Sequence, residues 1–258
     1  MMNEKAKDLG LKDTHFVSSH GLDNELHYTT AYELAKIADY ALNLEKFSEV
    51  VGTKTYIITI NGYPRTITNT NELLGYVNGV NGVKTGFTNK AGRCLVTSAL
   101  RSELNIITVV LGADTKRIRS RDSIALIEYV YENYEQVNLK RMINEKFKEW
   151  KKRNEKNICV NKGVKNRVSI EIGETKYEKY SFEKEKIKDI KIEINCVFYM
   201  EAPVEKGTVI GNVKLKLGDN IIEEVDIKVR EKIKKKKILD YFWKFFSNYD
   251  IIVSSVIN

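Results

Sequence analysis

The sequence of 258 residues is 42% hydrophobic and contains only two prolines, which excludes a disordered or proline-rich chain and allows one large domain or two modest ones. The formal net charge of +8 is unevenly distributed, because residues 1–140 hold 16 basic and 16 acidic side chains whereas residues 141–258 hold 27 and 19. The second half is therefore expected to face an anionic membrane surface or polymer, and no recognisable motif points to nucleic acid.

Three helices are predicted in the first half. Residues 2–8 form a short polar helix that ends near Gly10. The capping box Thr30-Ala31-Tyr32-Glu33 begins a helix with an apolar stripe, which predicts a core helix. Residues 119–134 resume helical spacing. The chain opens with polar residues and no signal peptide, which taken alone predicts a cytoplasmic location.

Strands are predicted between these helices. Residues 54–60 are rich in β-formers and run into the turn Asn61-Gly62-Tyr63-Pro64. Residues 94–101 and 105–112 are joined by a short polar link, which predicts a β-hairpin. The preceding segment, Gly82 to Thr88, then belongs to the same antiparallel sheet, and helices covering that sheet give the α+β class.

The sequence pattern of the second half changes after a charged run. Residues 141–156 are predicted to be a charged linker between a domain at 1–140 and a small β-sandwich domain at 157–231. The sandwich is predicted from short, evenly spaced β-rich segments separated by turn residues.

Residues 232–258 are predicted to form a basic run followed by an amphipathic helix. Four lysines, Lys234 to Lys237, precede an aromatic-rich stretch whose apolar residues share one broad face. Such a pattern is typical of a helix that lies in a membrane interface, here over residues 234–257. The alternatives are a helix docked on its own β-domain or one that forms an oligomer. The charged residues within the stretch count against a transmembrane span.

Two sets of chemically reactive residues fit no metal or disulfide pattern. Cys94, Cys159 and Cys196 are odd in number and widely spaced, which favours small buried hydrophobic residues. The three histidines, His15, His20 and His27, lack metal-ligand spacing. We therefore expect no metal and no cofactor.

The tripeptide Lys84-Thr85-Gly86 offers a specific chemistry if it lies on a strand edge. The lysine provides a cation, the threonine hydroxyl can donate to a carboxylate, and the glycine lets a substrate backbone pair with the strand. The backbone N–H of Phe87 could then point at a developing oxyanion. A tripeptide alone is a weak indication, although Lys-Thr-Gly is one of three motifs of serine β-lactamases and penicillin-binding proteins.

The residues around this tripeptide make the indication strong. The segments Leu9–Phe16, Gly21-Leu22-Asp23, His27–Ala35, Asn69-Thr70-Asn71, Gly82–Val96 and Val109–Ala113 resemble, in the same order, the low-molecular-weight penicillin-binding proteins. These are serine D-alanyl-D-alanine carboxypeptidases. The segment Ala202–Gly211 is similar to the β-rich domain that follows the catalytic domain in that family.

The resemblance implies a fold, an activity and a set of site residues. It implies a β-lactamase/transpeptidase-like lobe, a small β-sandwich and a C-terminal amphipathic helix on the outer face of the cytoplasmic membrane if the full-length form is exported. The family removes the terminal D-Ala of peptidoglycan stem peptides through an acyl-enzyme and binds β-lactams. Lys84 would supply electrostatics and Phe87 N–H half of the oxyanion hole. The implied substrate-binding residues are Thr85, Gly86, Thr88, Asn69, Thr70 and Asn71.

The sequence departs from the family in one respect. No credible S-x-x-K or S-x-N motif precedes Lys84, since the string Ser181-Phe182-Glu183-Lys184 follows it and Tyr76-Val77-Asn78 stands where no second motif belongs. The nucleophile and its base are therefore expected to be absent from this sequence. Two hypotheses follow: a carboxypeptidase lacking its N-terminal part, or a catalytically silent, membrane-associated fragment that binds peptidoglycan or a complementing fragment.

Overall fold

The computed structural model describes residues 1–241 and divides the chain into two compact units. The first unit comprises Met1–Glu135, and the second begins at Gln136. Runs of helices and runs of strands follow one another along the chain, which confirms the α+β class.

The first unit contains one three-stranded antiparallel sheet, a separate β-hairpin and four helices. In chain order its elements are α1 (Met2–Asp8), α2 (Ala31–Leu42), α3 (Glu45–Gly52), β1 (Thr55–Ile60), β2 (Tyr63–Thr68), β3 (Val80–Thr88), β4 (Gly92–Arg101), β5 (Leu104–Ala113) and α4 (Lys116–Asn133). The sheet order is β3-β4-β5, so β3 lies at an edge. The predicted hairpin of β4 and β5 is confirmed.

Helix α4 closes one face of this sheet. Leu95 and Ala99 on β4 pack against Ile127 of α4 in the apolar core of the unit. The Tyr131 hydroxyl donates to the carbonyl of Ala99 at 2.6 Å, which fixes the end of the helix to the strand. Strand β3 is therefore hydrogen-bonded to β4 along one edge, and no described strand pairs with its other edge.

Helix α2 differs from the core helix that its apolar stripe predicts. Its N-cap is confirmed, because the Thr30 hydroxyl accepts from the N–H of Glu33. Only Glu33 and Ala38 are buried, however, and Tyr32 is exposed. The apolar stripe is only half-buried, at Leu34, Ala35, Ile37, Ala41 and Leu42.

Two short features of the first unit depend on local backbone preferences. Helix α3 follows α2 directly and was not predicted, since its eight residues are too few for a clear apolar period. The turn between β1 and β2 has positive φ at Asn61 (50°) and Gly62 (81°), the two-residue geometry that Asn-Gly favours.

The second unit is β-rich, as predicted. From the junction onward its elements are β6 (Tyr134–Asn138), α5 (Leu139–Asn154), a 3₁₀ helix (Glu155–Asn157), β7 (Cys159–Asn161), β8 (Ile170–Ile172), β9 (Lys179–Glu183), a second 3₁₀ helix (Lys184–Asp189), β10 (Ile190–Cys196), β11 (Tyr199–Glu201), β12 (Val209–Leu217) and β13 (Asn220–Val229). A four-stranded sheet has the order β10-β12-β13-β8, and β11-β7 and β6-β9 form two smaller sheets.

The predicted linker at residues 141–156 differs from the structure, in which most of this run belongs to α5. Leu139, Ile143 and Phe147 lie on one face of the helix and are buried in the core of the second unit. Charged side chains occupy most of its other positions, so the charge of the run masks a helical period of four.

Backbone hydrogen bonds join the end of the described chain to the rest of the second unit. The N–H of Val164 donates to Lys234 O at 2.9 Å, and the N–H of Lys236 donates to Lys162 O at 2.8 Å. The predicted interface helix lies outside the described residues from 242 onward. No helix within residues 1–241 combines the length and hydropathy that crossing a bilayer requires.

Candidate active-site groove

The Lys84-Thr85-Gly86 tripeptide lies in the middle of the edge strand β3. Thr85 pairs with Leu95 and Phe87 with Arg93 on β4, so Thr85 and Phe87 point to the same face of the sheet. Lys84 and Phe87 are exposed, and Thr85 is half-buried. Within residues 1–241 no strand pairs with the outer edge of β3, which leaves backbone donors and acceptors available there.

A groove of about 830 Å³ runs along this edge. Its walls come from the loop before α2, from β3 and β4, and from the start of α4. The lining residues are His20, Gly21, Leu22, Asp23, His27, Tyr28, Thr29, Leu34, Thr70, Lys84, Thr85, Gly86, Phe87, Thr88, Ala91, Arg93, Cys94, Leu111, Lys116 and Arg119. Five of the predicted site residues, Lys84 to Thr88, therefore lie together in one groove.

Thr70 also lines the groove and contacts Thr85. Their hydroxyl oxygens lie 2.6 Å apart, a hydrogen bond in which either can donate. If the Thr85 hydroxyl donates to Thr70, the proton of Thr70 remains available to a ligand. If Thr70 donates to Thr85, the proton of Thr85 remains available. The pair can thus present one hydroxyl donor to an anion in the groove.

Asn69 and Asn71 do not line the groove; their side chains bond to the backbone. The Asn69 amide donates to the carbonyls of Val51 and Thr53, at 3.2 and 3.1 Å. The amide of buried Asn71 donates to Gly82 O at 2.9 Å. These bonds hold the segment that carries Thr70 against the end of α3 and the start of β3.

Arg119 is a groove residue that the sequence analysis missed. It lies in the first turn of α4 and is only 3% exposed. One of its Nη atoms donates to both carboxylate oxygens of Glu72, at 2.6 and 2.5 Å, and its Nε has no hydrogen-bond partner among the described residues. Arg119 thus lines the same groove as Thr85, with its charge paired to Glu72 and one buried donor unpartnered. No motif spacing marks it, because it stands far from Lys84 in the sequence.

Glu72 keeps its negative charge opposite this arginine. Burial raises the pKa of its carboxyl, but hydrogen bonds from Ser120 and Arg119 and the Arg119 charge together lower that pKa below its usual value. The ion pair therefore fixes Arg119 in place at neutral pH.

Buried Glu33 fixes the loop that begins the opposite wall. Its carboxylate accepts from the N–H groups of Lys12 and Asp13, at 2.7 and 3.1 Å, and from the Thr14 hydroxyl. The Thr14 bond contributes most to lowering the pKa of Glu33, against the opposing effect of burial. The capping-box glutamate thus ties the loop to α2.

The histidines and cysteines are placed separately. His20 and His27 line the groove, and His15 Nδ1 lies 2.6 Å from Leu26 O. The three cysteines are free and half-buried rather than buried as expected. No group of His, Cys, Asp and Glu within residues 1–241 is arranged to hold a metal ion. The Ser181–Lys184 string lies in the second unit, where Phe182 belongs to the core.

Two family models match the chain. Residues 1–115 match the D-alanyl-D-alanine carboxypeptidase model, and residues 145–235 match the C-terminal domain of penicillin-binding protein 5. The chain is 31% identical over 243 residues to the D-alanyl-D-alanine carboxypeptidase DacF of Bacillus subtilis, covering 93% of this chain and 59% of DacF. It is 30% identical over 256 residues to DacA of Escherichia coli, covering 96% of this chain and 60% of DacA.

Solved structures agree with these matches. Penicillin-binding protein 5 from Haemophilus influenzae superposes with a TM-score of 0.62 at 28% identity, covering 91% of this chain and 65% of that one. Penicillin-binding protein 6B from Escherichia coli gives 0.62 at 25% identity, covering 88% and 58%. The chain spans about three fifths of the length of DacF and DacA. On these matches, residues 1–115 belong to the D-alanyl-D-alanine carboxypeptidase family and residues 145–235 to the family of the C-terminal domain of penicillin-binding protein 5.

Proposed function

We propose that this chain forms the substrate-binding wall of a serine-type D-Ala-D-Ala carboxypeptidase that removes the terminal D-Ala of peptidoglycan stem peptides. The observation that carries the proposal is the Thr70–Thr85 hydroxyl pair, which lies on an open strand edge in one groove with Lys84 and the buried Arg119. Thr85 and Arg119 bind the terminal carboxylate of the peptide. Lys84 supplies positive charge, and the Phe87 N–H donates to the oxyanion of the tetrahedral intermediate.

The environment of Gly86 supports a substrate backbone on the edge of β3. A Cβ atom at this position would meet only the Cβ of Cys94, at an ordinary 3.7 Å. Packing within the described chain therefore does not require glycine here. The close approach of an extended peptide to the strand is a sufficient reason for it.

The proposal places the nucleophilic serine and its lysine base outside this sequence. Among the described residues no serine lines the groove. Acyl transfer needs a nucleophile, so the chain alone is expected to bind the peptide without cleaving it. This observation also favours the second candidate, a catalytically silent fragment that binds peptidoglycan or a complementing fragment.

Labelling with a fluorescent penicillin tests the chemistry. We expect no covalent adduct on the purified chain, together with reversible binding of Nα-acetyl-L-Lys-D-Ala-D-Ala measured by ligand-observed NMR. A stable adduct would contradict the missing nucleophile. Equal binding of the same peptide with its terminal carboxylate amidated would contradict the proposed site.

We further propose that residues 234–257 hold the protein on the outer face of the cytoplasmic membrane when the full-length form is exported. The described part of this segment supports the proposal with four consecutive lysines, of which Lys234 and Lys236 form backbone hydrogen bonds with Val164 and Lys162 of the same unit. Ile238, Leu239 and Tyr241 follow them and are exposed. Lysines beside exposed apolar residues match an anionic bilayer interface.

A further inference from the structure

Arg93 presents a further cation in the groove, next to the oxyanion donor. Its guanidinium lies 4.4 Å from the centroid of the Phe87 ring, directly across the β3–β4 pair. A guanidinium over an aromatic face is held by cation–π attraction while its edge N–H groups stay available. Arg93 is half-buried and lines the groove, so these donors face the space that a ligand would fill.

The charges around Arg93 are not balanced by the groove itself. Among the described residues no carboxylate forms an ion pair with Arg93, Lys116 or Lys84. Asp23 is the single carboxylate among the lining residues, and one of its oxygens lies 3.4 Å from the N–H of Lys90. Arg119, in contrast, already has Glu72. Arg93 and Lys116 therefore leave positive charge that an anionic ligand could neutralise.

The proposed function, on which this inference rests, determines which substrate residue lies beside Arg93. If the terminal carboxylate lies at Thr85 and the scissile carbonyl at Phe87, the substrate runs antiparallel to β3. An extended chain advances about 3.3 Å per residue, so the residue before the two D-Ala residues lies at or just beyond Phe87. That is the level at which Arg93 stacks. A side chain on this third residue can reach the guanidinium while the terminal carboxylate stays on Thr85.

We propose that Arg93 is a specificity-determining residue, which selects D-Ala-D-Ala peptides whose preceding residue carries a free side-chain carboxylate. Phe87 holds the guanidinium in place through its ring, separately from the role of its backbone N–H. The carboxylate of the substrate forms an ion pair with Arg93, and Lys116 adds to the local positive potential.

Three matched peptides test this on the intact chain: Nα-acetyl-X-D-Ala-D-Ala with X as L-Glu, L-Gln or L-Lys. Binding is measured by ligand-observed NMR titration at low salt. We expect the Glu peptide to bind about fivefold more tightly than the isosteric Gln peptide, and the Lys peptide to bind most weakly. The difference should shrink at about 1 M salt, where the screening length is about 3 Å.

Variants assign the preference to one side chain. Arg93→Gln should abolish the difference between the Glu and Gln peptides while the Gln peptide still binds. Arg65→Gln removes the same charge from exposed β2, outside the groove, and should leave the preference unchanged. Phe87→Leu should reduce the preference, because the guanidinium loses the ring that holds it.

The outcomes separate this inference from the proposed function. Equal binding of the three peptides by the unaltered chain, or a preference that survives in Arg93→Gln, overturns the role of Arg93 and leaves the D-Ala-D-Ala site standing. If none of the peptides depends on its terminal carboxylate, the proposed function fails and this inference fails with it.

Discussion

The two units of this chain are each stabilised by a different kind of internal contact. The second unit buries seventeen apolar residues in one core cluster, from Leu139 on α5 to Ile233. The corresponding cluster of the first unit, within the described residues, has seven. The first unit carries the candidate active-site groove, and much of its organisation depends on polar contacts such as Arg119–Glu72 and Glu33 with its loop.

This difference shows how a chemically active surface is built beside a structural one. A core of apolar side chains stabilises a fold but presents no donors, whereas an edge strand and a groove expose donors and leave apolar surface uncovered. The positions of Thr70, Thr85 and Arg119 are consequently fixed by hydrogen bonds to side chains and backbone. Changes in the two units should affect different measurable properties.

The largest effect is expected from a cavity in the second unit. Leu215 on β12 is completely buried, so Leu215→Ala should lower the free energy of unfolding of this unit by about 2–5 kcal/mol. Urea denaturation followed by Trp150 fluorescence reports the change, because Trp150 packs against Phe147 and Phe198 with ring centroids 6.2 Å apart in each case. The variant Leu100→Ala, at a half-exposed site of the first unit, should change the free energy of unfolding of that unit, followed by circular dichroism, by no more than about 0.5 kcal/mol. Equal losses would contradict the proposed division.

The next effect concerns binding rather than stability. Thr85→Val removes the hydroxyl that Thr70 contacts and that the proposed carboxylate would use. A hydrogen bond to a charged group contributes about 1.5–3 kcal/mol, so binding of Nα-acetyl-L-Lys-D-Ala-D-Ala should weaken at least about tenfold. Thr88→Val, three residues further along the same strand, is the comparison for a hydroxyl outside the Thr70 contact. Unchanged affinity in Thr85→Val would mean that the carboxylate is bound elsewhere.

The comparison also explains which parts could be predicted from the sequence. Strands β4 and β5, α4 and the Lys84–Thr88 segment carry local patterns of alternation, helical spacing and motif, and these were predicted close to their observed bounds. Arg119 was missed because its role depends on burial and on Glu72, which is distant in sequence. The pattern of α5 predicts a linker because its charged positions outnumber the three residues that are buried in the core. Tertiary contacts, which a single sequence does not display, decide both cases.

A smaller effect should distinguish the units by their response to acid. The folded-state pKa of Glu72 lies below its unfolded value, so its ion pair with Arg119 stabilises the first unit fully above the unfolded pKa of about 4.3. That stabilisation is lost as the pH falls through the folded pKa. We expect about 1 kcal/mol, because Glu72 is partly exposed and screened by water. Unfolding monitored by circular dichroism should show a shallower loss between about pH 5 and pH 3 in Glu72→Gln than in the unaltered chain. Trp150 fluorescence, which reports the second unit, should respond to acid equally in Glu72→Gln and in the unaltered chain. If circular dichroism also shows the same acid response in these two proteins, Glu72 is not the sensitive group.

The smallest effect tests whether the excess positive charge of the second unit serves membrane binding. Lys235 has its backbone fixed by a bridge to Gly163, and its side chain is exposed. Lys235→Gln should therefore leave the fold intact and weaken co-sedimentation with vesicles containing phosphatidylglycerol by about fivefold, since each lysine near an anionic surface contributes about 1 kcal/mol. Lys90→Gln makes the same change in the first unit, whose basic and acidic side chains nearly balance, and should not alter vesicle binding. If both variants bind as the unaltered chain does, the net charge of the second unit does not direct it to the membrane. If both lose affinity equally, attraction depends on total charge rather than on the position of the lysines beside Ile238 and Leu239.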